Sequence, residues 1–137
     1  MRTFRFAVST TFLLTALVGA PAASAEPNFC RTVAYGSIWE SYLASPPPPE
    51  GLSDSYVKKR ATEYQRKAIG IMRQEGYGKL ARQYSRAMGL SNVSFRKSLR
   101  AVAQSSRFIE RVCGFDPYDY SGWAAANPLP PKARNMR

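Results

Sequence analysis

The stretch from Asn92 to Cys113, NVSFRKSLRAVAQSSRFIERVC, constrains the fold of this chain more than any other. Phe95, Leu99, Val102, Ile109 and Cys113, with Ser106 among them, advance by steps of four and three, the spacing of a single face on an α-helix. Arg96, Lys97, Arg100, Arg107 and Arg111 fall on the opposite side, so one segment supplies both an expected buried stripe and a basic surface. The stripe ends on Cys113, whose only partner of its kind in the chain is Cys30.

That cysteine pair acquires meaning from the N-terminus. Arg2 and Arg5 precede an apolar run from Phe6 to Val18, and small residues follow up to Ala23-Ser24-Ala25. This is the layout of a secretory signal cleaved after Ala25. The alternative, an uncleaved anchor, is disfavoured because Phe6 to Ala20 falls short of the roughly 20 residues a spanning helix needs. Cleavage of residues 1–25 leaves 112 of the 137 residues, enough for one domain. The expected location is periplasmic or secreted, an oxidising setting in which Cys30 and Cys113 are expected to pair. Such a bond ties the start of the first helix to the end of the last.

The remaining elements follow from periodicity and punctuation. Thr32 to Leu43 reads as a helix with a less regular stripe, weakened at Gly36, and Trp39 within it is expected to be a packing residue. Ser45 to Gly51 holds four consecutive prolines, which lack amide donors and form a stiff linker. Ser53 or Asp54 caps a helix running to about Glu75, with Val57, Ala61, Tyr64, Ala68, Ile71 and Met72 in its stripe. Gly70 interrupts that helix at a cost of about 1 kcal/mol unless another helix crosses closely there. Gly76-Tyr77-Gly78 marks a turn, Lys79 to Met88 a shorter helix stopped by Gly89, and Ser91 or Asn92 the start of the long helix. No region sustains the alternation of a strand. The fold class is therefore all-α: a small disulfide-closed bundle of about four helices over residues 26–123. Phe115, Tyr118, Tyr120 and Trp123 are expected to cover its open end, and residues 124–137 to form a flexible tail, fraying beyond Asn127.

Composition restricts the chemistry. The chain has no histidine, which removes the usual general base, the serine triad and most zinc or haem ligation. Pairing of both cysteines removes thiolate chemistry as well. No glycine-rich phosphate cradle is present, Asp116 and Asp119 do not match a calcium loop, and no metal or cofactor is expected. The enzyme class that survives is a glycan-cleaving one using two carboxylates, for which Glu40 and Glu63 are the pair weighed. Asn92-Val93-Ser94 fits an N-glycosylation acceptor, but Asn92 serves equally well as a cap.

Charge is the more informative signal. With Arg2 and Arg5 removed, 18 basic residues face 9 acidic ones. The preferred expectation is a non-catalytic exported accessory protein that binds an acidic envelope component or acidic protein through Lys58, Lys59, Arg66, Arg96, Arg100, Arg107 and Arg111. Peripheral contact with a membrane surface is part of that expectation, with electrostatic docking favoured over deep insertion because the apolar stripes are expected to be buried. Export argues against nucleic acid as the partner, although aromatics interleaved with cations would suit stacking on bases. A structural alternative is an apolar interaction patch of Phe108, Val112 and Trp123, of which Phe108 and Val112 sit away from the main stripe of their helix.

Overall fold

The computed structural model describes residues 26–44 and 52–126. The signal sequence read at 1–25, the proline linker at 45–51 and the tail from 127 to 137 lie outside the described residues. The described residues form five α-helices in order: α1 (Phe29–Ala44), α2 (Asp54–Gln74), α3 (Gly78–Ala87), α4 (Phe95–Cys113) and α5 (Tyr120–Ala126). The described residues contain no strand. Cys30 and Cys113 are joined in a disulfide with Cα atoms 5.5 Å apart, so the bundle is all-α and disulfide-closed.

The helix centrally placed in this arrangement is α1. It packs along α2 on one side and against α5 on another. Nine of its sixteen residues are buried, among them Phe29, Cys30, Val33, Ser37, Trp39 and Tyr42. A helix covered from several directions has no single polar face, which is why its apolar spacing is irregular. It begins at Phe29, three residues ahead of the start read from the sequence, because a distant side chain caps it. The Glu75 carboxylate, at the far end of α2, accepts from the backbone N–H groups of Asn28 at 3.2 Å and Phe29 at 3.1 Å. It satisfies two otherwise orphaned amides and places negative charge at the positive end of the helix.

The other boundaries are set locally. Ser53 caps α2, its side chain accepting from the Tyr56 amide. At the end of α2, Gly76 adopts φ +88° while the Tyr77 amide donates to the Met72 carbonyl and the Gly76 amide to that of Arg73. The same pair of bonds recurs after α3, with Gly89 at φ +69°, Leu90 donating to Ser85 and Gly89 to Arg86. Both are Schellman stops, whose left-handed residue favours glycine. The cap of α4 is Ser94, not Ser91 or Asn92: its hydroxyl accepts from the Lys97 amide. At α5, Asp119 accepts from the Gly122 amide at 3.2 Å and the Ser121 hydroxyl at 3.1 Å, carrying the helix to Ala126, past the boundary read at 124.

Two apolar clusters form the core. The larger surrounds the disulfide and joins Phe29 and Val33 of α1 to Ile69 and Met72 of α2, Leu80 and Tyr84 of α3, and Ile109 of α4. The smaller lies at the opposite end of the α1–α2 pair and holds Trp39, Tyr42, Leu52, Val57 and Ala61. Trp39 packs here as expected, edge-on to Tyr42 and Tyr56, with the Arg60 guanidinium 5.7 Å from its ring centre. Burial of side chains this size contributes about 1.5–3 kcal/mol each.

The stripe expected on α4 is corrected. Phe95 is 78% exposed and Leu99 53% exposed, while the buried positions are Ala101, Ser105 and Ile109. The helix runs nineteen residues beside α3, which has only ten. Its C-terminal half reaches the disulfide and the main cluster. Its first two turns lie along the end of α3, held there by the Ser98 hydroxyl donating to the Arg86 carbonyl.

The residues after α4 fold back as a stitched cover. Ser37 donates to the Pro117 carbonyl at 2.8 Å, Ser106 to Asp116 at 3.0 Å, and the Trp123 indole to the Asp116 carbonyl at 3.0 Å. Ser105 and the Tyr118 hydroxyl share a bond of 2.7 Å. Covering by aromatics was expected; the helix within it was not.

Candidate functional site

The seven basic residues singled out in the sequence are all exposed, and the fold sorts them into three groups. Lys58, Lys59 and Arg66 sit on α2 around a shallow depression of about 340 Å³, which Ser55, Thr62 and Glu63 also line. Arg107 and Arg111 border a cleft between α3 and the second half of α4. Arg96 and Arg100 stand on the first two turns of α4, beside Phe95 and Leu99. Arg96 and Arg111 are separated by about 22 Å along the helix, so the seven do not form one site.

The cleft has a volume of about 530 Å³. Lys79 joins Arg107 and Arg111 at its border, and Tyr77 and Phe108 supply aromatic surface. Their rings meet edge to face with centres 5.8 Å apart, and the Arg111 guanidinium lies 5.0 Å from the centre of Phe108. Gln83 and Gln104 bridge the helices through a 3.3 Å hydrogen bond and complete a polar wall. No carboxylate lines the cleft. Three cations, amides and an aromatic surface can hold a carboxylate, sulfate or phosphate group bidentately while packing against its organic portion.

Lys79 belongs to a pattern that helical periodicity does not reveal. From Gly76 to Ile109 the chain carries Lys79, Arg82, Arg86, Arg96, Lys97, Arg100 and Arg107 and no acidic residue. All seven side chains are exposed. From Gly76 to Ile109 the α3–α4 hairpin is thus cationic without internal compensation, and its one acidic residue is the exposed Glu110 in the last turn of α4. Among the described residues the ion pair formed is Arg60–Glu63 at 2.7 Å, on the other hairpin. A count of acidic residues by segment, instead of by helix face, is the signal that would have exposed this.

The two carboxylates weighed for catalysis have separate partners. Glu63 is exposed and bound to Arg60. Glu40 is half-buried on α1, where its carboxylate accepts from the Gln65 amide at 3.1 Å. Burial raises its pKa, against the lowering effects of the Gln65 hydrogen bond and the Lys58 charge. Burial likewise pushes up the hydroxyls of Tyr84, Tyr118 and Tyr120, and the Glu40 charge adds to the effect on Tyr84 and Tyr120.

The apolar residues expected to form an interaction patch are engaged within the fold. Phe108 and Val112 pack against the main core, and Trp123 meets Phe115 edge-on at 5.1 Å. The large apolar side chains that the fold leaves exposed on α4 are Phe95 and Leu99.

Among the described residues no group of three acidic or cysteine side chains converges as a metal site, and no helix is long and apolar enough to cross a membrane. Comparison with protein-family models, curated proteins and solved structures finds no match to this chain.

Proposed function

We propose that this is an exported, non-catalytic accessory protein that binds an acidic envelope component or acidic protein through its basic helical faces. The observation that carries the reading is the α3–α4 hairpin, with seven exposed cations, no acidic residue from Gly76 to Ile109, and the Lys79–Arg107–Arg111 cleft at its base. Uncompensated charge of one sign attracts a partner of the other from a distance, and guanidinium groups then fix it bidentately. The cations of α2, Lys58, Lys59 and Arg66, extend the attracting surface to the other hairpin.

Binding of the mature protein to a soluble polyanion such as polyphosphate tests the reading. Affinity is expected to fall as salt is raised, because the charges are exposed and screened. Reversal of three charges, Arg100→Glu, Arg107→Glu and Arg111→Glu, is expected to weaken binding by about tenfold or more while helical content is retained. Equal binding by that triple variant would overturn the proposal.

A further inference from the structure

The exposed pair Phe95 and Leu99 is the least accounted-for feature of the fold. They lie one turn apart on α4 and therefore share a face, and they are 78% and 53% exposed. Scattered exposed hydrophobics are ordinary, but these two adjoin the cationic positions Arg96, Lys97 and Arg100 on the same two turns, with Arg86 on the neighbouring helix. The tip of the α3–α4 hairpin thus combines an apolar pair with cations and no carboxylate.

The geometry points to a membrane-docking tip: Phe95 and Leu99 enter the boundary between headgroups and acyl chains of an anionic bilayer, while Arg86, Arg96, Lys97 and Arg100 hold its phosphates. This rests on the anion-binding reading above and names its partner. A bilayer places an anionic plane directly in front of an apolar layer, which matches cations set around two protruding apolar side chains. Long arginine and lysine stems can lie along the apolar region while their charged ends remain among headgroups.

Other occupants fit less well. A second copy docked symmetrically on this face would bring two cationic hairpin tips without carboxylates together, a repulsive arrangement. Residues 127–137 carry Lys132, Arg134 and Arg137 and no acidic side chain, the wrong sign to cover the tip. The expectation of electrostatic docking over deep insertion assumed that the apolar stripes are buried, and at Phe95 and Leu99 the stripe is exposed.

The test uses the mature, disulfide-bonded protein with vesicles of phosphatidylglycerol mixed into phosphatidylcholine, vesicles of phosphatidylcholine alone, and polyphosphate. A Phe95→Trp variant, read against the wild type for the background of Trp39 and Trp123, is expected to shift its emission to the blue and be quenched by bromine-labelled acyl chains with anionic vesicles. Polyphosphate is expected to produce neither change. The pair Phe95→Ala and Leu99→Ala is expected to weaken anionic-vesicle binding by about tenfold or more, with the thermal midpoint and polyphosphate binding retained.

Vesicle binding without an emission change in the Phe95→Trp variant would overturn insertion and leave the anion-binding reading standing. The same holds if polyphosphate or an acidic protein binds but anionic vesicles do not. Failure to bind any polyanion would remove both proposals. A concentration-dependent dimer dissolved by the two alanine substitutions would make a second copy the occupant and overturn the membrane assignment.

Discussion

Glu40 is a carboxylate held where its charged form is poorly solvated, and its consequence for stability has a definite sign. Burial raises its pKa above 4.5, so the folded state retains the proton to higher pH than the unfolded chain does. Stability from this group is therefore greatest below the unfolded pKa and falls as pH rises toward and through the folded value. Glu40→Gln, which can still accept from Gln65, is expected to raise the denaturation midpoint at pH 7 and to converge with the wild type near pH 4. A midpoint difference independent of pH would contradict this account. Gly70 presents the opposite case, a weakness with no compensating contact. A methyl group added there meets nothing within 4 Å, so no close helix crossing requires glycine. Gly70→Ala is expected to stabilise the protein by up to about 1 kcal/mol, measured by denaturant unfolding. The sequence identifies the cost of this glycine; only the surroundings show that nothing depends on it.

Helix strength in the sequence and helix position in the fold run in opposite directions. The most regular stripe, on α4, belongs to a peripheral helix whose fully buried positions are Ala101, Ser105 and Ile109. The irregular α1 is central because several neighbours cover it. Periodicity reports that a helix has two different sides, but not how far a neighbour extends along it; hence Phe95 and Leu99 read as core and are exposed. Helix ends show the same division. Ser53, Gly76 and Gly89 act through adjacent backbone and are legible as punctuation, whereas the Glu75 cap of α1 joins residues 46 and 47 positions apart. For α4 the adjacent candidates are distinguishable by substitution. Ser94→Ala is expected to cost about 1 kcal/mol through loss of the side-chain acceptor for Lys97. Asn92→Ala, at an exposed position outside the helix, is expected to remain within about 0.5 kcal/mol of the wild type. Thermal midpoints of the two variants check the assignment, and equal losses would contradict it.

The disulfide acts on the whole molecule, joining the first turn of α1 to the last residue of α4 across a sequence separation of 83. Closing a loop of that size reduces the freedom of the unfolded chain by an amount equivalent to about 4.5 kcal/mol in the chain-entropy description. Cys30→Ser with Cys113→Ser is expected to lower unfolding free energy by about 4 kcal/mol, measured in denaturant against the oxidised protein. An unchanged midpoint would show that packing around Phe29, Val33 and Ile109 holds the ends together unaided. Electrostatics at this scale divides the molecule differently from packing. The α1–α2 pair contains the Arg60–Glu63 ion pair and the Glu40–Gln65 bond, while the α3–α4 hairpin has cations alone from Gly76 to Ile109.

The amino-acid sequence by itself determined the all-α class, the pairing of the two cysteines, the main turns and the exposure of all seven chosen cations. These depend on local backbone preference, on there being one partner for each cysteine, and on the cost of burying charge. Tertiary structure decided that α1 is central, that Glu75 caps it, that Lys79 meets Arg107 and Arg111 at a cleft, and that Phe95 and Leu99 face outward. Each of those depends on which distant segment arrives beside a residue, and where that segment stops.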